Sequence, residues 1–160
     1  MTTQRTINPC LWFNFNAEEA VNHYLSIFRN SRILDVSRYR DAVPDLKGKV
    51  LTIRFEIEGL QLLALNAGPQ FPFTEAVSLS VDCTDQAEVD TLWRRLCEGG
   101  SAGQCGWLKD KFGLSWQIVP RALVTLLNDP DPDRAARVMQ AMMSMSKIDV
   151  ARLQQAYNQQ

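Results

Sequence analysis

Apolar and polar positions in this chain follow two rhythms, one of period two and one of helical spacing, and both recur in the same order twice. Cys10 to Phe15, after Pro9, is a short aromatic-rich strand. Asn16 is placed to cap a helix with Glu18 and Glu19 in its first turn, where the helix dipole favours them. Ala20, Val21, Tyr24, Leu25 and Phe28 give that helix one inward face, with His23 at its rim. Ile33 to Tyr39 alternates as a strand, and Arg40 to Lys49, with Pro44 and Gly48, reads as a polar loop. Val50 to Ile57 and Leu60 to Asn66 are two strands joined at Glu58-Gly59, a tight-hairpin signal. A linker from Ala67 to Phe73, broken by Gly68, Pro69 and Pro72, nevertheless holds Phe71 and Phe73, which either cover a core edge or wall a pocket.

The order then repeats. Val77 to Cys83 alternates as a strand, and Thr84 or Asp85 caps a helix striped by Val89, Leu92, Trp93 and Leu96 that ends at Gly99-Gly100. A short strand near Ala102 to Cys105 precedes a hairpin that runs from Cys105 to Pro120. Trp107 and Leu108 lead into a turn at Lys109 to Gly113; Leu114, Trp116 and Ile118 then alternate with Ser115 and Gln117. Two readings stay open for this hairpin: tryptophan core anchors below a solvated Lys-Asp-Lys tip, or a ligand-facing set.

The chain therefore reads β-α-β-β-β twice, module one about 7–67 and module two about 76–120, within a single domain of 1–160. Two units too small to bury a sheet alone are expected to pair their sheets around a common cleft. The tail, about 121–160, is helical: Arg121 to Leu127, a break from Asp129 to Asp133 that ends in a cap, a Met-rich face of Ala135, Val138, Met139, Met142 and Met143, and a last helix with Val150, Leu153 and Tyr157. The fold class is α+β.

With 160 residues, 46% of them hydrophobic and 22% charged, the chain can bury one sizeable core. A net charge of −1 supplies no field for nucleic acid or an anionic membrane, and neither is expected as a partner. No apolar run approaches the roughly 20 residues that span a bilayer. The first residues carry no apolar signal core, so a cytoplasmic location is expected. Cys10, Cys83, Cys97 and Cys105 form no Cys-x-x-Cys pair and read as reduced core residues. His23 is the only histidine, which excludes a His-pair metal site.

The duplicated pattern, with Cys105-Gly106-Trp107-Leu108-Lys109-Asp110-Lys111-Phe112-Gly113 and Ser115-Trp116-Gln117-Ile118-Val119-Pro120, resembles the PhnB-like branch of the vicinal oxygen chelate superfamily. Glu19-Ala20, Tyr24, Leu63-Ala64-Leu65-Asn66 and Trp93 fit the same branch, which also bears the label 3-demethylubiquinone-9 3-methyltransferase-like. The superfamily includes glyoxalase I, bleomycin- and fosfomycin-resistance proteins and extradiol dioxygenases. The resemblance implies tandem βαβββ modules that form a curled mixed sheet, a C-terminal helical tail and a homodimer. It also implies a divalent metal held by His or Glu on the first strand of each module and by Glu late in the last strand. At those positions stand Pro9 or a neighbour, Ala76 and Gln117, so neither metal nor other cofactor is expected. Methyl transfer would need a Gly-rich turn for a nucleoside-sulfonium donor, and no Gly-x-Gly turn occurs.

Two functions follow from these residues. One is a metal-free small-molecule-binding protein whose cup is lined by Trp12, Phe13, Phe71, Phe73, Trp107 and Trp116, with Asn66, Ser80 and Gln117 as polar anchors. The other is a lyase-, isomerase- or transferase-type enzyme of that superfamily acting on a carbonyl or vicinal-oxygen substrate, with or without a divalent metal, with Glu56 or Asp110 moving a proton and Lys109 or Lys111 polarising the oxygen. A purely structural dimer with a filled cup is the blander possibility.

Overall fold

Strand alternation sorts side chains onto two faces of each sheet in the computed structural model, which describes residues 5–159. The chain divides between Pro72 and Phe73 into two compact units. The first holds strands β1 (Cys10–Phe13), β2 (Ser31–Arg38), β3 (Val50–Ile57) and β4 (Leu60–Asn66) in the order β1-β4-β3-β2, with β1 parallel to β4 and the rest antiparallel. Helix α1 (Ala17–Ile27) packs on one face, burying Ala17, Ala20, Val21 and Tyr24. Leu11, Phe13, Ile53, Phe55, Leu62 and Ala64 form the buried sheet surface of this unit.

β1 is shorter than the aromatic run suggested, because Phe15 takes a left-handed backbone (φ 59) that turns the chain into α1. Asn16 stands at the N-cap yet makes no side-chain cap bond. Asn66, at the end of β4, does that work from across the sheet: its Oδ1 accepts from Ala17 N at 3.0 Å. Its Nδ2 donates to Glu18 Oε1 and Val50 O.

The second unit repeats the plan with β5 (Ser78–Cys83), β6 (Ser101–Ala102), β7 (Trp107–Lys109) and β8 (Ser115–Pro120) in the order β5-β8-β7-β6, β5 parallel to β8. Helix α2 (Gln86–Cys97) is capped by Asp85, whose carboxylate accepts from Glu88 N, while Glu88 reaches back to Thr84. The strand expected over Ala102 to Cys105 stops at Ala102, since Cys105 (φ 57) and Gly106 (φ 82) are both left-handed.

The tail forms α3 (Arg121–Leu127), α4 (Pro132–Met143) and α5 (Val150–Asn158) around Leu123, Val138, Met145, Ile148 and Leu153. The expected Met-rich face is only partly inward: Val138 is buried, but Met139 and Met143 are exposed. Among the described residues no helix is long and apolar enough to cross a membrane.

The charged hairpin tip is not solvated at its centre. Asp110 is 2% exposed, and its carboxylate accepts from Phe112 N (2.9 Å), Leu114 N (3.1 Å) and Trp116 Nε1 (2.9 Å). Lys111 remains on the surface. One buried acceptor thus holds three donors that would otherwise be costly to desolvate. Asp110→Ala is expected to destabilise the protein by roughly 3–5 kcal/mol, and Asp110→Asn, which keeps one acceptor oxygen, by distinctly less. Urea unfolding of the two variants measures both losses.

Candidate functional site

Pairing of β7 with β8 sets Trp107 opposite Gln117, Leu108 opposite Trp116, and Lys109 opposite Ser115. Alternation then divides the hairpin. Leu108, Trp116 and Ile118 are buried on the side covered by α2, while Trp107, Lys109, Ser115 and Gln117 occupy the other face. β5 adds Ser78 beside Ser115 and Ser80 beside Gln117. Gln117 Nε2 donates to Ser78 Oγ at 3.0 Å.

A cavity of about 570 Å³ opens on this unit, lined by Glu75, Ser101, Gln104, Trp107, Lys109 and Ser115, among others. Its volume falls in the range of small-molecule sites. Ser115 is 1% exposed, and its Oγ has no hydrogen-bond partner within the described structure. A buried hydroxyl in that state is destabilising until something bonds to it.

At the rim, Lys109 forms an ion pair with Glu75, both partly exposed. The hydrogen bond from Lys109 holds the Glu75 carboxyl below the usual carboxylate range, with its own backbone amide and the ammonium charge adding to the effect.

The first sheet also has a face away from α1. The register aligns Trp12 with Leu65, Thr52 and Ser37 across the four strands. Trp12 meets Phe71 edge-on with ring centroids 4.9 Å apart, and its indole donates to Gly68 O at 2.9 Å. The linker aromatic Phe71 therefore packs on Trp12, although it remains largely exposed. Glu56 lies near Arg32, at 3.9 Å.

The expected site residues are divided between the two units. Trp107, Gln117 and Ser80 share one face of the second sheet; Trp12 and Phe71 meet in the first unit; Phe73 is half-buried after the linker. Phe13, Asn66 and Trp116 are buried, and both ends of the Asn66 amide are engaged in holding α1. Asp110, a candidate for proton transfer, is buried and engaged in bracing the hairpin by three donors, so of the two open readings the solvated tip does not hold at this residue. Ser115, Ser101, Gln104 and Glu75 were not singled out from the sequence. The signal for Ser115 was present, since it stands in phase with Gln117 and one strand across from Lys109.

The positions that resemblance assigns to a metal do not fit one. Pro9 offers only a backbone carbonyl, which accepts from Leu63 N; Ala76 offers no donor atom; and the Gln117 amide is a neutral group bonded to Ser78. Among the described residues no three His, Cys, Asp or Glu side chains cluster as a metal would require. Cys10 is exposed, not a core residue as expected, since it opens β1 at the sheet surface; partial desolvation still raises its thiol and that of Cys97, and burial pushes Cys83 up to about 12, so these three are poor sources of thiolate.

A family model described as 3-demethylubiquinone-9 3-methyltransferase matches residues 5–119. A PhnB protein from Bacillus cereus is 34% identical, covering 72% of this chain and 99% of its own, with a TM-score of 0.66. Protein PA1353 from Pseudomonas aeruginosa is 26% identical over 73% of this chain and 98% of its own, with a TM-score of 0.61. The fosfomycin-resistance protein FosX from Listeria monocytogenes, crystallised with Mn(II) and sulfate, shares the fold at a TM-score of 0.51 and 14% identity, covering 75% of this chain and 91% of its own. No curated protein matches the chain.

Because the Glu75 carboxyl is depressed, its ion pair with Lys109 should persist on acidification and dissolve only as pH falls through the lowered pKa. Lys109→Met should return the Glu75 titration towards the ordinary carboxylate range. A carbon-detected NMR titration of Glu75 reads the shift.

Proposed function

The chain belongs to the 3-demethylubiquinone-9 3-methyltransferase family, of the PhnB type and vicinal oxygen chelate fold, and from that premise we propose that it binds a small planar molecule without a metal. The observation that carries this reading is the buried, unpartnered Ser115 hydroxyl lining a cavity beside Trp107. A flat aromatic ring gains contact against the indole, and once the Ser115 side chain turns towards the cavity a hydroxyl or carbonyl oxygen on that ring supplies the bond it lacks. Lys109 and Glu75 at the rim favour an uncharged ligand, because each charge already has its partner.

Methyl transfer, which the family name denotes, is not the activity we infer. A sulfonium-nucleoside donor is commonly cradled where a Gly-rich turn follows a strand. Here the strand-to-helix turns are Asn14-Phe15-Asn16 and Thr84-Asp85, with no glycine in either. The donor chemistry at Pro9, Ala76 and Gln117 likewise supports binding that does not pass through a metal.

4-Hydroxyacetophenone is a suitable probe, being flat, uncharged and carrying both kinds of oxygen. Saturation-transfer NMR should detect its binding, with the same affinity before and after dialysis against EDTA. Ser115→Ala should weaken binding about fivefold, the worth of one hydrogen bond, while the free protein stays as stable or becomes more so. Absence of binding, or binding indifferent to Ser115→Ala, overturns the reading.

A further inference from the structure

The tail lies beyond the residues that the family model matches, yet one stretch of it is bonded to the turn that forms part of the cavity wall. Gly103 and Gln104 line the cavity, and their turn positions Trp107 through Gly103 N→Trp107 O (2.8 Å) and Trp107 N→Gln104 O (3.0 Å). The next two residues, Cys105 and Gly106, are left-handed. Their amides donate to consecutive carbonyls of the tail, Met145 O and Ser146 O, each at 2.8 Å. Ser146 Oγ completes the grip by donating to Gly103 O at 2.5 Å.

Packing adds to the hydrogen bonds. A Cβ on Gly106 would meet Ile118 O at 3.0 Å and Ile148 Cγ1 at 3.1 Å, so the tail lies flush against this backbone. Ile148 is fully buried. Gln86 on α2 clamps the far end of the stretch: its Nε2 donates to Ile148 O at 2.9 Å and its Oε1 accepts from Val150 N at 2.7 Å. A non-glycine residue with positive φ persists where its surroundings over-determine it, and here the tail supplies those surroundings.

We propose that the segment Met145 to Val150 is a brace that sets the cavity wall, and that Ser146 is a positioning residue for whatever binds there. The proposal rests on the cavity being the ligand site, and it makes the tail a determinant of which ligands fit. Ser146 touches no cavity surface itself; it acts through Gly103 and, by way of that turn, through Trp107.

Amide hydrogen exchange at Cys105 and Gly106 in the ligand-free protein, measured alongside the affinity for 4-hydroxyacetophenone, tests the brace in Ser146→Ala, Ser146→Thr and Gln86→Ala. Ser146→Ala should speed exchange at both amides and weaken the probe roughly three- to tenfold, as expected for one lost hydrogen bond. Ser146→Thr, which keeps the hydroxyl, should restore both. Gln86→Ala, remote from the cavity, should reproduce the faster exchange. Unchanged exchange and affinity in both alanine variants overturns the brace while leaving the ligand site intact. Faster exchange in a protein whose natural form ignores the probe upholds the brace and removes the binding reading instead.

Discussion

One buried carboxylate governs the second unit. Asp110 gathers two backbone amides and the Trp116 indole, and this fixes the turn between β7 and β8. A hairpin whose turn is fixed has one register, and a slip of one residue would exchange its two faces. With the register held, Trp116 and Leu108 go to the core under α2, and Trp107 and Ser115 go to the opposite face. The placement of the cavity and of its unsatisfied hydroxyl therefore follows from a carboxylate buried between two lysines.

The first unit is held by a comparable device made from a neutral side chain. Asn66 binds the first amide of α1, the Glu18 carboxylate and a β3 carbonyl, so a residue at a strand end ties helix and sheet together. Both devices use a polar group with every bond committed, the condition under which burial of such a group stabilises rather than penalises. Ser115 departs from that rule, and the proposed binding rests on the departure.

Much of this was legible from the sequence. The two βαβββ modules, the Glu58-Gly59 turn, the Asp85 cap and the helical tail all follow from periodicity and local turn chemistry, which act over a few residues. What was not legible depends on contacts distant in sequence. Asp110 is the exception: its three donors lie within six residues, and an aspartate in a turn is suited to bond nearby backbone, but burial does not show in a run flanked by two lysines. Asn66 looks like a pocket anchor until α1 is seen to start against it. The brace from Met145 to Val150 joins residues some forty positions apart in the chain. The aromatic set was readable as a set, but its division between faces needed the register.

A protein of similar fold was crystallised with Mn(II), and among the described residues of this chain no three His, Cys, Asp or Glu side chains cluster. The cavity of the second unit is lined by Ser115, Trp107 and the Lys109–Glu75 pair. Fluorine NMR of protein labelled with 5-fluorotryptophan is the sharpest test of that cavity as the ligand site, since Trp12 meets Phe71, Trp93 lies on α2, Trp107 lines the cavity and Trp116 is buried against Asp110. Saturating 4-hydroxyacetophenone should shift the Trp107 resonance and leave Trp93 and Trp116 in place. A spectrum in which Trp12 moves and Trp107 does not, or in which nothing moves, would contradict it.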